Sequence, residues 1–145
     1  MINQTHNCIS SLANRCSSQL NVDISTPRLN HLLDSWLDED LGRGDLANIA
    51  LINQQGSACW TANQKGIFCG GRVAERIFQR LDTSIRVNLL LKDGECFKKG
   101  QRLLELQGPA AALASGERTA LNLAMRLSGI ATATAFLVKE LEGTS

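Results

Sequence analysis

An α+β fold is the class this sequence predicts, and three periodicities predict it. Apolar residues at Leu29, Leu32, Leu33, Trp36 and Leu37 recur at i, i+3, i+4, i+7 and i+8, the stripe of an amphipathic helix. Between 85 and 91, Ile85, Val87, Leu89 and Leu91 alternate with Arg86, Asn88 and Leu90, which is the period of a strand. From Ala111 onward the chain is helical in composition. A helix, then strands with one helix among them, then helices is not the strict βαβ alternation of a parallel sheet.

Each element has its own punctuation. Residues 1–25 are polar and predict a poorly ordered lead-in to an ordered unit over 26–145. Thr26-Pro27 opens the first helix, threonine as the cap and proline in the first turn. That helix runs into an acidic, glycine-bearing loop, Asp38-Glu39-Asp40-Leu41-Gly42-Arg43-Gly44-Asp45. Short strands are predicted at 56–62 and 66–69, turned by Gln64-Lys65-Gly66. Gly70-Gly71 introduces a second helix with Val73, Ala74, Ile77, Phe78 and Leu81 on one face. Lys92-Asp93-Gly94 turns the chain after the alternating strand. Gly100 precedes a further strand at 101–107, which Gly108-Pro109 should stop. Helices then span 112–127 and 131–141, with a break at Ser128-Gly129. The outer face of the last helix, with Ala135, Phe136, Leu137 and Val138, has nothing after it in the sequence to cover it.

Composition narrows the function classes. The 145 residues are 43% hydrophobic and 20% charged, enough apolar content for one packed domain. Fifteen basic against fourteen acidic residues leave a net charge of +1, without the basic excess of a general nucleic-acid binder. No uninterrupted run of 18 apolar residues occurs, and the first 25 residues lack a signal-like apolar stretch, so neither a membrane partner nor export is expected. Five cysteines without a CxxC, and without a histidine at zinc-ligand spacing, read as reduced packing residues in a cytoplasmic protein.

Several constellations weaken on inspection. Asp38 and Asp40 match positions 1 and 3 of an EF-hand loop, but Arg43 and Ile49 stand where glycine and glutamate are needed. Gly42, Gly44 and Ala47 fit a dinucleotide fingerprint formally, yet a helix precedes them instead of a strand. Arg43-Gly44-Asp45 reads as a tight solvated turn. The stretch around Asp93-Gly94 and Gly100 resembles the sheet of biotinyl and lipoyl carrier domains. Lys92 lacks the carrier lysine's small neighbours, so the shared element is sandwich architecture, not carrier function.

The strongest chemical signal is Gly116-Glu117-Arg118-Thr119-Ala120-Leu121-Asn122. Glu117 and Arg118 are the only charged residues between Glu105 and Arg126. A helix this apolar all round is expected to be buried, and a buried guanidinium keeps its charge and needs an anion. Positions i±3 and i±4 from Arg118 are Ser115, Ala114, Leu121 and Asn122, none of them acidic. Two readings remain: a structural ion pair with a distant Asp or Glu, or a waiting site for a substrate carboxylate or phosphate.

Glu117-Arg118-Thr119-Ala120-Leu121-Asn122, followed by Leu127-Ser128-Gly129-Ile130-Ala131-Thr132, closely resembles quinolinate phosphoribosyltransferase, also called nicotinate-nucleotide pyrophosphorylase (carboxylating). An earlier signature is similar too: Glu39-Asp40-Leu41-Gly42, then Gly44-Asp45, with Asp93-Gly94, Gly100 and Gly108 in family-like order. The family usually has threonine where this chain has Ala47. The resemblance spans about 27–142 and implies an α/β sandwich (hammerhead or barrel-sandwich-like) amino-terminal domain with flanking helices. It implies transfer of a phosphoribosyl group from phosphoribosyl pyrophosphate, with Mg2+, to quinolinate. The products are nicotinate mononucleotide, pyrophosphate and CO2, in NAD biosynthesis. The family's Asp-Thr-Arg-Lys-Thr motif and α/β barrel, which hold the sugar phosphate and the metal, are expected beyond the 145 residues. The chain alone is then expected to be inactive and to bind neither cofactor nor metal.

Within that resemblance the amino-terminal domain packs on the barrel of a neighbouring subunit in a homodimer or higher homo-oligomer. It lends that barrel one arginine. The matching residue is Arg118, which makes it the substrate-binding candidate; Glu117 is read as structural. Two other functions compete: a non-catalytic subunit-interaction module, and a paralogue acting on another aromatic acid.

Overall fold

The computed structural model describes residues 26–42 and 50–142. Helix α1 (Pro27–Leu41) starts as its sequence dictates: the Thr26 hydroxyl accepts the Leu29 N–H at 3.4 Å and Pro27 occupies the first turn. Leu33 and Leu37 are buried while Leu29 and Leu41 pack at the edge of the core. Leu32 and Trp36 from the predicted stripe stay exposed, because the core beneath α1 is narrower than its apolar face. Two polar clips four residues apart tie α1 to helix α2 (Gly71–Leu81). Arg76 Nε donates to Asn30 at 3.3 Å, and the Arg80 guanidinium forks onto both oxygens of Asp34.

The sheet is built around β5 (Arg102–Pro109), which pairs antiparallel with β1 (Gln55–Thr61) on one edge and β3 (Arg86–Leu89) on the other. A separate two-stranded ribbon joins β2 (Gly66–Ile67) to β4 (Cys96–Phe97). The Gln64–Gly66 turn therefore separates strands that belong to different sheets. Strand β4 had no sequence signal, since two residues cannot display a period. Leu104 and Leu106 point from β5 into the core, and Trp60 meets Phe78 edge-to-face at 6.4 Å.

Gly108-Pro109 does not stop the chain short. The strand continues to Pro109, whose missing N–H falls at the end of the β1 pairing. Ala110 N–H then bonds to Gln54 O at 2.8 Å as α3 begins. Helix α3 (Ala110–Glu142) is one unbroken helix of 33 residues, about 50 Å long. The predicted break at Ser128-Gly129 is absent because tertiary bonds hold that turn. The Ser128 hydroxyl accepts the Cys69 N–H at 3.0 Å and donates to Cys69 O at 3.1 Å. One turn on, Thr132 Oγ1 accepts the Ile67 N–H at 2.9 Å and donates to Ser128 O. Gly129 lies on the exposed side between them.

Close approach of α3 to α2 needs glycine at 116, where a Cβ would stand 2.9 Å from two ring carbons of Phe78. Gly70 is held at φ +100° just before α2, with Ala124 Cα 3.1 Å from where its Cβ would be. The result is an α+β domain of two small antiparallel sheets covered by helices. Over 110–141, α3 is also long and apolar enough to cross a bilayer by length and composition. The lack of an uninterrupted apolar run therefore excludes less than the sequence suggested. Leu113, Ala120 and Ala124 nonetheless commit its first half to the core. The lead-in at 1–25, Arg43-Gly44-Asp45, Ala47 and Ile49 lie outside the described residues.

Candidate functional site

Arg118 and Glu117 sit in the third turn of α3, and both are exposed. This corrects the buried guanidinium expected from the sequence. The buried line of α3 runs through Leu113, Gly116, Ala120 and Ala124, and at 100° per residue position 118 faces away from it. The scarcity of charge around 106–125 reflects small side chains, not burial on every side. Nor does the structural ion pair form: among the described residues the ion pairs are Arg80–Asp34 and Arg102–Glu105. The Arg118 guanidinium is open to an anion brought from outside.

Asn122 and Arg126 follow Arg118 at four-residue intervals, all three exposed on one face of α3. Arg118 to Arg126 spans about 12 Å along the axis. Arg126 gave no signal in the sequence beyond its charge.

Behind this face, Thr119 is the buried polar residue of the described core, 5% exposed. Its hydroxyl donates to an oxygen of Asp40, 79 residues earlier at the end of α1. The two signatures noted in the sequence thus touch in space, at the residue next to Arg118. Sequence reading missed this contact, because nothing in either signature announces its partner.

Asp93 gives the turn that follows β3 a structural role. Its Oδ1 accepts N–H bonds from both Gly70 and Gly71, 2.9 Å each, and so closes the start of α2. Gly94, at φ 93°, then lets its N–H reach Phe68 O at 2.7 Å.

An open groove of about 920 Å³ runs between the β1–β2 segment and the adjacent flank of α3. Trp60, Phe97, Leu103, Leu121, Met125 and Phe136 make it mostly apolar, and Lys65 and Glu117 are its charged wall residues. Arg118 is not among the residues lining it. In the second half of α3, Ile130, Leu137 and Leu141 are 58%, 61% and 67% exposed and share one apolar face.

Among the described residues no group of three or more His, Cys, Asp or Glu side chains is placed to hold a metal ion. Among the described residues, Cys59, Cys69 and Cys96 form no disulfide. Cys59 is exposed, an exception to the mostly packing role expected of the cysteines. Burial pushes the Cys96 thiol up from its ordinary value. Asp82 moves the other way, its carboxylate stabilised by the hydroxyl and the N–H of Ser84.

The family model for the quinolinate phosphoribosyl transferase N-terminal domain matches residues 45–128. The chain is 43% identical over 116 residues to a probable nicotinate-nucleotide pyrophosphorylase [carboxylating] of Bacillus subtilis, covering 79% of this chain and 40% of that protein. It is 42% identical over 103 residues to its counterpart in Synechocystis, covering 70% and 35%. Among solved structures, NadC from Streptococcus pyogenes superposes with a TM-score of 0.76 at 29% identity, covering 82% of this chain and 43% of that one. The nicotinate-nucleotide pyrophosphorylase from Francisella tularensis gives 0.71 at 31% identity, covering 75% and 40%. The chain thus spans about two-fifths of the length of these relatives. It belongs to the quinolinate phosphoribosyltransferase family, whose amino-terminal domain it carries over residues 45–128.

Proposed function

We propose that this chain serves as the amino-terminal domain of an enzyme that joins quinolinate to the ribose of phosphoribosyl pyrophosphate. The products are nicotinate mononucleotide, pyrophosphate and CO2, a step of NAD biosynthesis in the cytoplasm. The observation that carries the reading is Arg118: a guanidinium in the family's signature, exposed on a helix and without an ion-pair partner among the described residues. Quinolinate brings two adjacent carboxylates, and the planar fork of an arginine fits one of them bidentately.

The domain's part in catalysis is to bind and orient. Charge held against one carboxylate fixes the pyridine ring while its nitrogen displaces pyrophosphate from the sugar. Magnesium accompanying the pyrophosphate belongs, in this reading, to the barrel that holds the sugar phosphate. We place Arg118 in trans, completing a site on the barrel of a neighbouring subunit of a homodimer. The exposed apolar half of α3 supports that arrangement, since it needs a cover of comparable size.

The test joins this domain to the remaining domain of a relative and measures quinolinate-dependent nicotinate mononucleotide. Arg118→Ala should cost about 2–5 kcal/mol, at least about 30-fold in kcat/KM, with Arg118→Lys restoring part of it. The 145 residues alone should make no product. Undiminished activity in Arg118→Ala would refute the assignment.

A further inference from the structure

We propose that Asp40 and Thr119 form a positioning clamp that sets the roll of α3 about its axis and so aims Arg118; the inference rests on the substrate-facing reading of that arginine. A buried hydroxyl requires an acceptor, and Thr119 takes one from another helix instead of from its own turn. The acceptor is a carboxylate, which makes the bond stronger and more directional than a neutral one.

Asp40 is not placed to stabilise α1. The last turn of that helix holds Asp38, Glu39 and Asp40 and no basic residue, so three acids face the negative end of the helix dipole. The Thr119 bond gives the third acid a role that helix stability does not.

Apolar packing sets the depth of α3: Leu113 is buried and the Phe78 ring seats against Gly116. Farther along, Ser128 and Thr132 tie the helix to Cys69 and Ile67. At the turn that carries Arg118, Gly116 and Ala120 present hydrogen or methyl groups to the core, and Thr119 adds a directional polar anchor, with β-branching that restricts its χ1. The lever is short but sufficient. A roll of about 10° carries a side-chain head about 6 Å from the axis through about 1 Å, enough to spoil the distances of a bidentate guanidinium–carboxylate pair.

The experiment uses the complete enzyme containing this domain and reads KM for quinolinate and kcat separately. Thr119→Val keeps the shape and removes the donor; Asp40→Ala removes the acceptor. Each should raise KM about tenfold and leave kcat within about threefold, because the contact being misaimed already exists in the bound substrate. Thr119→Ser and Asp40→Asn, which keep a donor and an acceptor, should recover most of the affinity. The double variant should be no worse than either single one. With Arg118→Ala already present, Thr119→Val should change KM by less than about twofold.

A merely structural role would lower the melting temperature and the active fraction while leaving KM in place, and would persist in the Arg118→Ala background. Either result overturns the clamp. If Arg118→Ala impairs the enzyme and neither Thr119→Val nor Asp40→Ala shifts KM, only the clamp fails. If Arg118→Ala leaves KM and kcat unchanged, the reading of Arg118 fails and the clamp with it. Should Thr119→Val not fold, Asp40→Ala decides the matter from the half-buried side of the bond.

Discussion

Glycine-to-alanine replacement at two positions of α3 should have opposite effects on stability, and the pair tests the helix as described. Alanine is favoured over glycine inside a helix by about 1 kcal/mol wherever space allows. At Gly129 the space is free: no atom lies within 4 Å of a new Cβ, and the residue is not among those with positive φ. Gly129→Ala should therefore stabilise by about 1 kcal/mol. At Gly116 the same methyl would stand 2.9 Å from Phe78 Cδ1 and Cε1 and 2.8 Å from Leu81 Cδ1. Leu81 can swing away, but the Phe78 ring is fully buried and cannot. Overpacking costs about 1–3 kcal/mol, so after the helix gain Gly116→Ala should be destabilising by up to about 2 kcal/mol. Urea unfolding followed by tryptophan fluorescence, with Trp60 in the core, measures both midpoints at unchanged slope. Destabilisation at Gly129 would mean that α3 breaks there. Stabilisation at Gly116 would mean that α2 and α3 are farther apart than described.

Thr132→Val should leave the Ile67 N–H without its acceptor, at a cost of about 1–3 kcal/mol, and speed hydrogen exchange at that amide selectively. Thiol labelling at pH 7 with peptide mapping should modify exposed Cys59 well before Cys96, whose raised pKa leaves less thiolate. Because the Asp82 pKa is lowered, its bonds to Ser84 favour the fold above 3.8 and are lost as pH falls through the lower folded value. The Ser84 amide should accordingly titrate with a midpoint below 3.8 in an NMR series.

Helices α1 and α2 were legible because each carries an apolar stripe, and α1 its own Thr26 cap, whereas Asp93 closes α2 from a distance. Thr26-Pro27 and the Ala74, Ile77, Phe78 face are local signals that tertiary structure left intact. Pairing was not legible. β1 adds to β5 across more than 40 residues of sequence, and nothing in Gln55–Thr61 names that partner. Ser128-Gly129 misled because a serine–glycine pair is a local breaker, whereas the hydroxyl's actual partner, Cys69, is 59 residues away. Residue type and signature single out Arg118 as a candidate, but the burial expected from the lack of neighbouring charge does not hold, because the helix turns that position outward. The Asp40–Thr119 bond has no signal in the sequence, since a carboxylate at a helix end and a threonine in another helix carry no mutual spacing rule.

Subunit mixing tests the central claim most directly, that Arg118 completes a site on another subunit. One form of the complete enzyme carries Arg118→Ala, the other an inactivating change confined to its barrel, and each alone is inactive. Random reassortment of dimers makes about half of them mixed, each with one intact site, so nicotinate mononucleotide formation should recover to about a quarter of the wild-type rate. Introducing Arg118→Ala into the second form as well should abolish the recovery. No recovery on mixing, with heterodimers verified by mass, would contradict the account.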